Sequence, residues 1–345
     1  MTDLLKVYNS MNFEGTNNEG MAMNGRVLIV DGLNTFIRNF AANPTMDDNG
    51  NHIGGITGFL KSIGLAIRTL NPSRVTIVFD GKGGSKRKKQ IYPEYKGHRK
   101  PLTRLNRAHG GITDGEPEKD FMKMELILLA QILEYLPVDL IAYDYVEADD
   151  VMAYVAKLVE EEGGEAILYS TDKDFLQLVN EQITVWNPAT KKTYDVERIC
   201  EEHDIHPNNF LLYRALTGDK SDNINGIKGV GKKTMLKLLP QMTEETKVEL
   251  SEVMGSAQSS GSKAAVKILE NEDIIRRNFK LMRLDETNFS ADNKLSCVDI
   301  LRSPPPRLRK LDLTKFLVQH NIMPAMGNFQ TWINDSFNKL DMIND

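Results

Sequence analysis

Short runs of β-branched and aromatic residues recur through the first two-thirds of the chain. Between them, apolar residues return every third or fourth position. The runs predict strands over 26–30, 75–79, 138–143, 166–169 and 183–186. The longer period predicts helices over 54–70, 120–135 and 147–162, the last one stopped by Gly163-Gly164. Strands alternating with helices give an α/β domain over 25–200, a twisted parallel sheet with helices on both faces. From 205 onward the pattern is mostly helical, with a Ser/Gly-rich break at 255–262 and a stop at Pro304-Pro305-Pro306, so 201–345 is expected to form a helical domain. Residues 1–24 are polar and Asn/Gly-rich and are expected to be a poorly ordered tail.

Polar positions become informative where the apolar runs end. Asp31 follows 27–30, Asp80 follows 75–79, and Asp172 and Asp174 come just after 166–169. Glu147, Asp149 and Asp150 open the helix over 147–162, and Asp219 and Asp222 lie in a GDKSDN segment. Each group has an ordinary explanation by itself: a turn after a strand, a helix cap, or acids offsetting a helix dipole. Their coincidence points elsewhere, because ligands of open α/β sheets bind at the carboxyl ends of the strands. Acids gathered at that edge repel one another unless a cation neutralises them, and a purely oxygen donor set suits Mg²⁺ or Mn²⁺.

Composition changes the picture only in its distribution. The net charge is −5, yet residues 82–107 hold ten Lys or Arg against one acid, Glu94. A long basic excursion beside acidic clusters suits a polyanion gripped by one and attacked at the other. Arg87, Lys88 and Lys89 are candidate backbone contacts, and aromatic residues interleaved with the charges (Tyr92, Tyr95) suit single-stranded nucleic acid. Excursions of this length inside a domain are usually functional. Cys200 and Cys297 have no paired metal spacing, and His52, His203 and His206 are read as ordinary polar residues. No stretch reads as a bilayer span or signal peptide, so a soluble, cytoplasmic protein is expected.

A second signal is Gly226-Ile227-Lys228-Gly229-Val230-Gly231-Lys232-Lys233, which reads as the turn of a helix–hairpin–helix over about 207–240. Gly226, Gly229 and Gly231 would let main-chain groups approach a phosphate or a monovalent cation such as K⁺, with Lys228, Lys232 and Lys233 flanking it.

In order, Val30-Asp31-Gly32, Phe79-Asp80-Gly81, Tyr95-Lys96-Gly97-His98-Arg99, Glu147-Ala148-Asp149-Asp150, Ser170-Thr171-Asp172-Lys173-Asp174, the GDKSDN segment and the glycine-rich turn resemble the 5′-nuclease family. That family comprises flap endonucleases and 5′→3′ exonucleases, and among its forms the chain looks most like the replication RNase H of tailed phages. The resemblance covers about 26–240. It implies a PIN-like catalytic domain, a threading arch over about 82–120, and a helical part that grips duplex DNA. It implies two Mg²⁺ ions, with Mn²⁺ as a substitute, about 3.5–4 Å apart. Asp80, Glu147, Asp149 and Asp150 would serve one ion, with Asp31 acting through water. Asp172, Asp174 and Asp222 would serve the other, with Asp219 behind them. Lys96 and Arg99 would contact the scissile phosphate, and Tyr95 would stack on the terminal base. Substrates would be 5′ ends or flaps of DNA and RNA–DNA hybrids, including RNA primers. A single-stranded DNA-binding replication protein is a partner by analogy, and a monomer is expected.

Three alternatives stay open at this stage. A PIN-type ribonuclease for single-stranded RNA would need neither the hairpin nor the basic arch. A phosphatase using Asp172 as nucleophile would form a phosphoryl-enzyme adduct. A non-catalytic branched-DNA binder would be better off without the acids.

Overall fold

The structure, a computed structural model, describes residues 25–97, 115–284 and 289–343. The expected tail at 1–24, and the part of the expected arch (about 82–120) over 98–114 with Arg99 in it, lie outside these residues.

Strand β1 (Arg26–Asp31) leads directly into helix α1 (Gly32–Ala42), followed by α2 (Gly54–Leu70), β2 (Arg74–Val78) and α3 (Lys86–Ile91). Then come α4 (Gly115–Leu133), β3 (Asp139–Ile141), α5 (Ala148–Glu161), β4 (Glu165–Tyr169), β5 (Ile183–Asn187) and β6 (Lys192–Tyr194). The strand order is β3-β2-β1-β4-β5-β6. β1 pairs in parallel with β2, and β2 with β3, whereas β6 returns antiparallel to β5. The expected α/β class is correct, and the five expected strands are present. The additions are α1, α3 and β6. Helix α1 follows Asp31 without a connecting loop, and α3 and β6 are too short for periodicity to register.

Packing divides the chain into two compact units. Among the described residues, the first contains 25–82, 115–167 and 289–343. Val27, Leu28, Ile29 and Val30 are all buried, as a central parallel strand covered on both faces requires. Helix α2 is apolar almost all round and buries eleven residues. Its outer side is covered by the C-terminal segment, which holds α12 (Ala291–Arg302), α13 (Lys310–Gln319), α14 (Phe329–Ile333) and α15 (Lys339–Ile343). The Trp332 indole N–H donates to Leu60 O at 3.2 Å and the Ser336 hydroxyl to Gly64 O at 3.1 Å. The segment after 289 therefore packs with the first unit, although the helical pattern suggested a continuous domain from 201.

Buried polar pairs lock this unit. The Arg74 guanidinium forks onto Asp139 at 2.7 and 2.9 Å and also donates to the carbonyls of Ile300, Leu301 and Ser303. This joins two strands to the end of α12. His52, read from the sequence as an ordinary polar residue, is buried with its Nδ1 2.5 Å from Glu125 on α4. Glu125 also accepts the Ile56 N–H, which fixes the start of α2.

The second unit contains 83–97 and 168–284. It includes α6 (Val196–His203), α7 (Pro207–Thr217), a two-residue ladder of β7 (Gly218–Asp219) and β8 (Ile224–Asn225), and α8 (Lys232–Leu238). Helices α9 (Leu250–Ser260), α10 (Lys263–Glu270) and α11 (Glu272–Met282) follow. Helix α9 corrects the expected break at 255–262. It buries Val253, Met254 and Ala257, keeps its serines outside, and stops only at Gly261, which adopts φ +56°. Asn278 of α11 donates to Ala215 O and Asn225 O, pinning α11 to α7 and β8.

Candidate functional site

In the first unit the strand register levels the carboxyl ends, with Asp31 opposite Val78 and Val78 opposite Ile141. Asp31 ends β1 and caps α1, accepting the Asn34 N–H at 3.0 Å. A side chain at Gly32 would strike the Phe79 ring at 2.8 Å, so glycine is what lets the two strand ends lie close. Asp80 accepts the Ala148 N–H at 2.9 Å, which brings it to the first turn of α5 beside Glu147 and Asp150. Gly81 seals this join, because a Cβ there would lie 1.7 Å from Tyr143 O. Asp31, Glu147 and Asp150 are buried, whereas Asp149 is half-exposed. The first cluster is thus held largely by main-chain donors and helix starts, where the local dipole favours negative charge.

The second cluster is built differently. Asp172 caps a 3₁₀ turn (Lys173–Leu178) and accepts the Asp174 N–H at 2.8 Å. Arg214, on the last turn of α7, donates Nε to Asp174 at 2.9 Å and Nη2 to Asp219. Asp219 also accepts the main-chain N–H and hydroxyl of Ser221, both at 2.7 Å. Burial, and then the charges of Asp222 and Asp219, push the Asp172 carboxyl up. Burial and the Asp172 charge push Asp174 up to about 7. Burial also pushes Asp219 up, but Ser221 and the Arg214 guanidinium outweigh it and hold that carboxyl below the usual range. Arg214 was not singled out from the sequence. It sits in no motif, and its only signal is a position five residues before Asp219.

Lys96 and Asp222 meet across 126 residues of sequence. The Lys96 N–H donates to Asp222 O at 2.9 Å, and its Nζ lies 3.9 Å from the Asp222 carboxylate. Asn223 donates to Glu94 O at 2.9 Å, completing a clip between 94–96 and 222–223. Two expectations fail here. Tyr95 is 1% exposed and packs with Ile224, Leu281 and Met282, so its ring is core and cannot stack on a base. Lys88 is 7% exposed, its ammonium 5.9 Å from the Tyr95 ring, while Arg87 and Lys89 on either side face solvent. The even spacing of charge along 86–89 concealed that one face of α3 is buried.

The hairpin forms between α7 and α8. Ile227 and Val230 point inward, and the Ile227 N–H donates to Leu216 O at 2.9 Å. Gly229 adopts φ +88°, and a Cβ at Gly226 would lie 2.2 Å from Thr217 main chain. Lys228 and Lys233 are exposed, and Lys232 is partly engaged by Asp204 at 2.7 Å. Gly231 is exposed at the start of α8. The Lys267 ammonium donates to Lys228 O at 3.1 Å.

Among the described residues, no three Asp, Glu, His or Cys side chains already surround a point that could hold an ion. In the second cluster the carboxylates are turned onto main-chain N–H groups, Ser221 and Arg214 instead. The donor chemistry fits a hard divalent cation: the acids are of like charge, offer only oxygen, and five of them (Asp31, Glu147, Asp150, Asp219 and Asp222) are buried. No helix among the described residues is long and apolar enough to cross a membrane.

Comparison with known proteins agrees with this construction. A family model described as the 5′-3′ exonuclease N-terminal resolvase-like domain matches residues 26–204, and one for the 5′-3′ exonuclease C-terminal SAM fold matches 205–300. The flap endonuclease Xni of Shewanella loihica is 32% identical over 276 residues, covering 79% of this chain and 95% of its own. The 5′-3′ exonuclease of Aquifex aeolicus is 34% identical over 212 residues, or 61% and 68% of the two chains. In fold, the chain is similar to the D15 flap endonuclease of bacteriophage T5 in a pseudo-enzyme-product complex with DNA and metal ions. That similarity has a TM-score of 0.59 at 20% identity and covers 87% of this chain and 99% of the other. With the acids at the strand ends, the clipped base of the basic excursion and the hairpin all in the matched region, the chain belongs to the 5′-3′ exonuclease family.

Proposed function

We propose that the chain is a structure-specific 5′ nuclease that hydrolyses phosphodiester bonds at 5′ ends or flaps of duplex DNA and RNA–DNA hybrids, removing RNA primers during phage-type replication. The observation that carries this reading is the clip between the basic excursion and the acidic cluster, with Lys96 held against Asp222. It sets a cation for a phosphate beside oxygens suited to a metal.

Asp80, Glu147, Asp149 and Asp150, with Asp31 through water, would hold one divalent ion, and Asp172, Asp174 and Asp222 the other. Mg²⁺ is the expected metal and Mn²⁺ its substitute. When bound, such ions supply an activated water and stabilise the attacking and leaving oxygens. Lys96 offsets the growing charge on the phosphate, as Arg99 would from the segment outside the described residues. Arg87, Lys89, Lys228 and Lys233 grip the sugar–phosphate backbone, which positions the duplex without reading its sequence. Gly226, Gly229 and Gly231 keep the hairpin main chain accessible. A K⁺ ion there would share the Lys228 carbonyl with the Lys267 ammonium.

The test is cleavage mapping on a 5′-end-labelled flap duplex and an RNA–DNA hybrid, with and without Mg²⁺. Short 5′ products from both substrates, lost in excess chelator, are expected. Preference for unstructured RNA, or cutting that survives chelation, would overturn the reading.

A further inference from the structure

The second cluster poses a problem that the first avoids. Asp172, Asp174, Asp219 and Asp222 come from three short elements, and like charges brought together repel one another. A nucleic-acid phosphate brought there meets the same negative field. Two cations that meet these acids among the described residues are the Arg214 guanidinium and the Lys96 ammonium, the latter 3.9 Å from Asp222.

Arg214 has the geometry of a deliberate bridge. Its fork spans two carboxylates from different elements, with Nε on Asp174 and Nη2 on Asp219. Its Nη1 lies 3.5 Å from Gly218 O at the end of its own helix. Both oxygens of Asp219 are already engaged, one by Ser221 and the other by Arg214. Asp219 therefore acts on the cluster through Arg214 and not as a free donor. A guanidinium suits this post because it stays charged when buried and its planar donors fit two carboxylates at once. The geometry makes a relay, Ser221 to Asp219 to Arg214 to Asp174.

We propose that Arg214 is the resident counter-cation of the second cluster: it holds Asp174 and Asp219 in place and cancels enough negative charge for a phosphodiester backbone to dock before a divalent ion is bound. The proposal rests on the 5′-nuclease reading and assigns Arg214 a positioning role in it. It differs from a plain structural ion pair in one respect. A structural pair would alter stability alike with and without metal, whereas a counter-cation matters for DNA binding chiefly when no metal is present.

The test uses full-length wild type, Arg214→Met and Arg214→Lys, with a fluorescent 5′-flap duplex at fixed ionic strength. Binding is measured in EDTA and in Ca²⁺, and Ca²⁺ uptake without DNA is followed by calorimetry. Arg214→Met should bind the flap about tenfold more weakly in EDTA, recover most of that loss in Ca²⁺, and take up Ca²⁺ more tightly than wild type. Arg214→Lys keeps the charge and loses the fork, so its binding in EDTA should match wild type while its cleavage with Mg²⁺ falls about 10–100-fold. Equal binding of wild type and Arg214→Met in EDTA, or a deficit of the same size with Ca²⁺, would overturn the proposal. Should Arg214→Met fail to fold by circular dichroism, Asp219→Asn decides. Removing one negative charge with the shape kept should tighten flap binding in EDTA, and unchanged or weaker binding would count against Arg214 as counter-cation. A wild type that does not bind the flap even in Ca²⁺ would instead defeat the nuclease reading itself.

Discussion

Arg74, buried in the first unit, and Arg214, half-buried in the second, do opposite things with the same fork. Arg74 closes on a single carboxylate, Asp139, and spends its other donors on three carbonyls at the end of α12. Nothing is left over, and no acid expected to bind a metal takes part. Arg214 is stretched between Asp174 and Asp219, among acids whose charges burial and one another oppose. In the first unit Asp31 and Asp80 accept main-chain N–H groups, and the Arg74 fork belongs to the fold. In the second unit side chains join the main-chain donors, with Ser221 and Arg214 on Asp219 and Arg214 on Asp174. A buried pair that only supports the fold can in principle be replaced by apolar packing, but one that organises a reactive cluster cannot.

The contrast can be broken most sharply at Asp172. Asp172→Asn should cost cleavage about 10³-fold, a few kcal/mol of transition-state stabilisation, while flap binding persists. Because burial and neighbouring acids oppose the Asp172 charge, its melting temperature should stay level or rise. Normal cutting would remove Asp172 from the metal set. Arg74→Ala should show the reverse pattern. Stranding Asp139 is expected to cost about 3–5 kcal/mol in urea unfolding, with activity per folded molecule unchanged. If Arg74→Ala lost activity without losing stability, the division of labour between the arginines would be wrong.

Smaller effects refine the comparison. Lys96→Ala should slow single-turnover cleavage about 10²-fold at saturating substrate, as expected for loss of one donor to developing charge. A change confined to salt-dependent affinity would reduce Lys96 to a general phosphate contact. Lys228→Ala should weaken binding evenly across sequences and lower the slope of affinity against salt by about 1. Lys88→Ala, whose ammonium is turned inward, should leave that slope unchanged.

What the sequence made legible was local. Apolar runs ending in Asp31 and Asp80, the helix over 54–70, and the glycines at 226 and 229 each carry their reason within a few residues. The α/β class followed from their alternation. What stayed hidden depends on partners far away in the chain. Trp332 and Ser336 cover α2 by bonds that span 272 residues, so the C-terminal helices read as an extension of their neighbours. Tyr95 looked like a stacking residue because its neighbours are cationic, and only the packing of Ile224 and Leu281 shows it to be core. Arg214 is one cation on an ordinary helix until the turn after Gly218 brings Asp219 back to it.

The clip at Lys96 makes this position an unusually convenient handle for chemistry. Two hydrogen bonds of the join to 222–223, from the Lys96 main-chain N–H and from Asn223, do not use the side chain at 96 and survive its exchange. Lys and Cys both lack a β-branch, so the φ of +55° does not separate them when one replaces the other. A cysteine at 96, alkylated with bromoethylamine to a thialysine or capped with a neutral group of the same length, would let a single amine be switched on or off in an otherwise identical protein. Of the natural thiols Cys297 is buried and only Cys200 is within reach of the reagent, so one further substitution would leave a single labelling site.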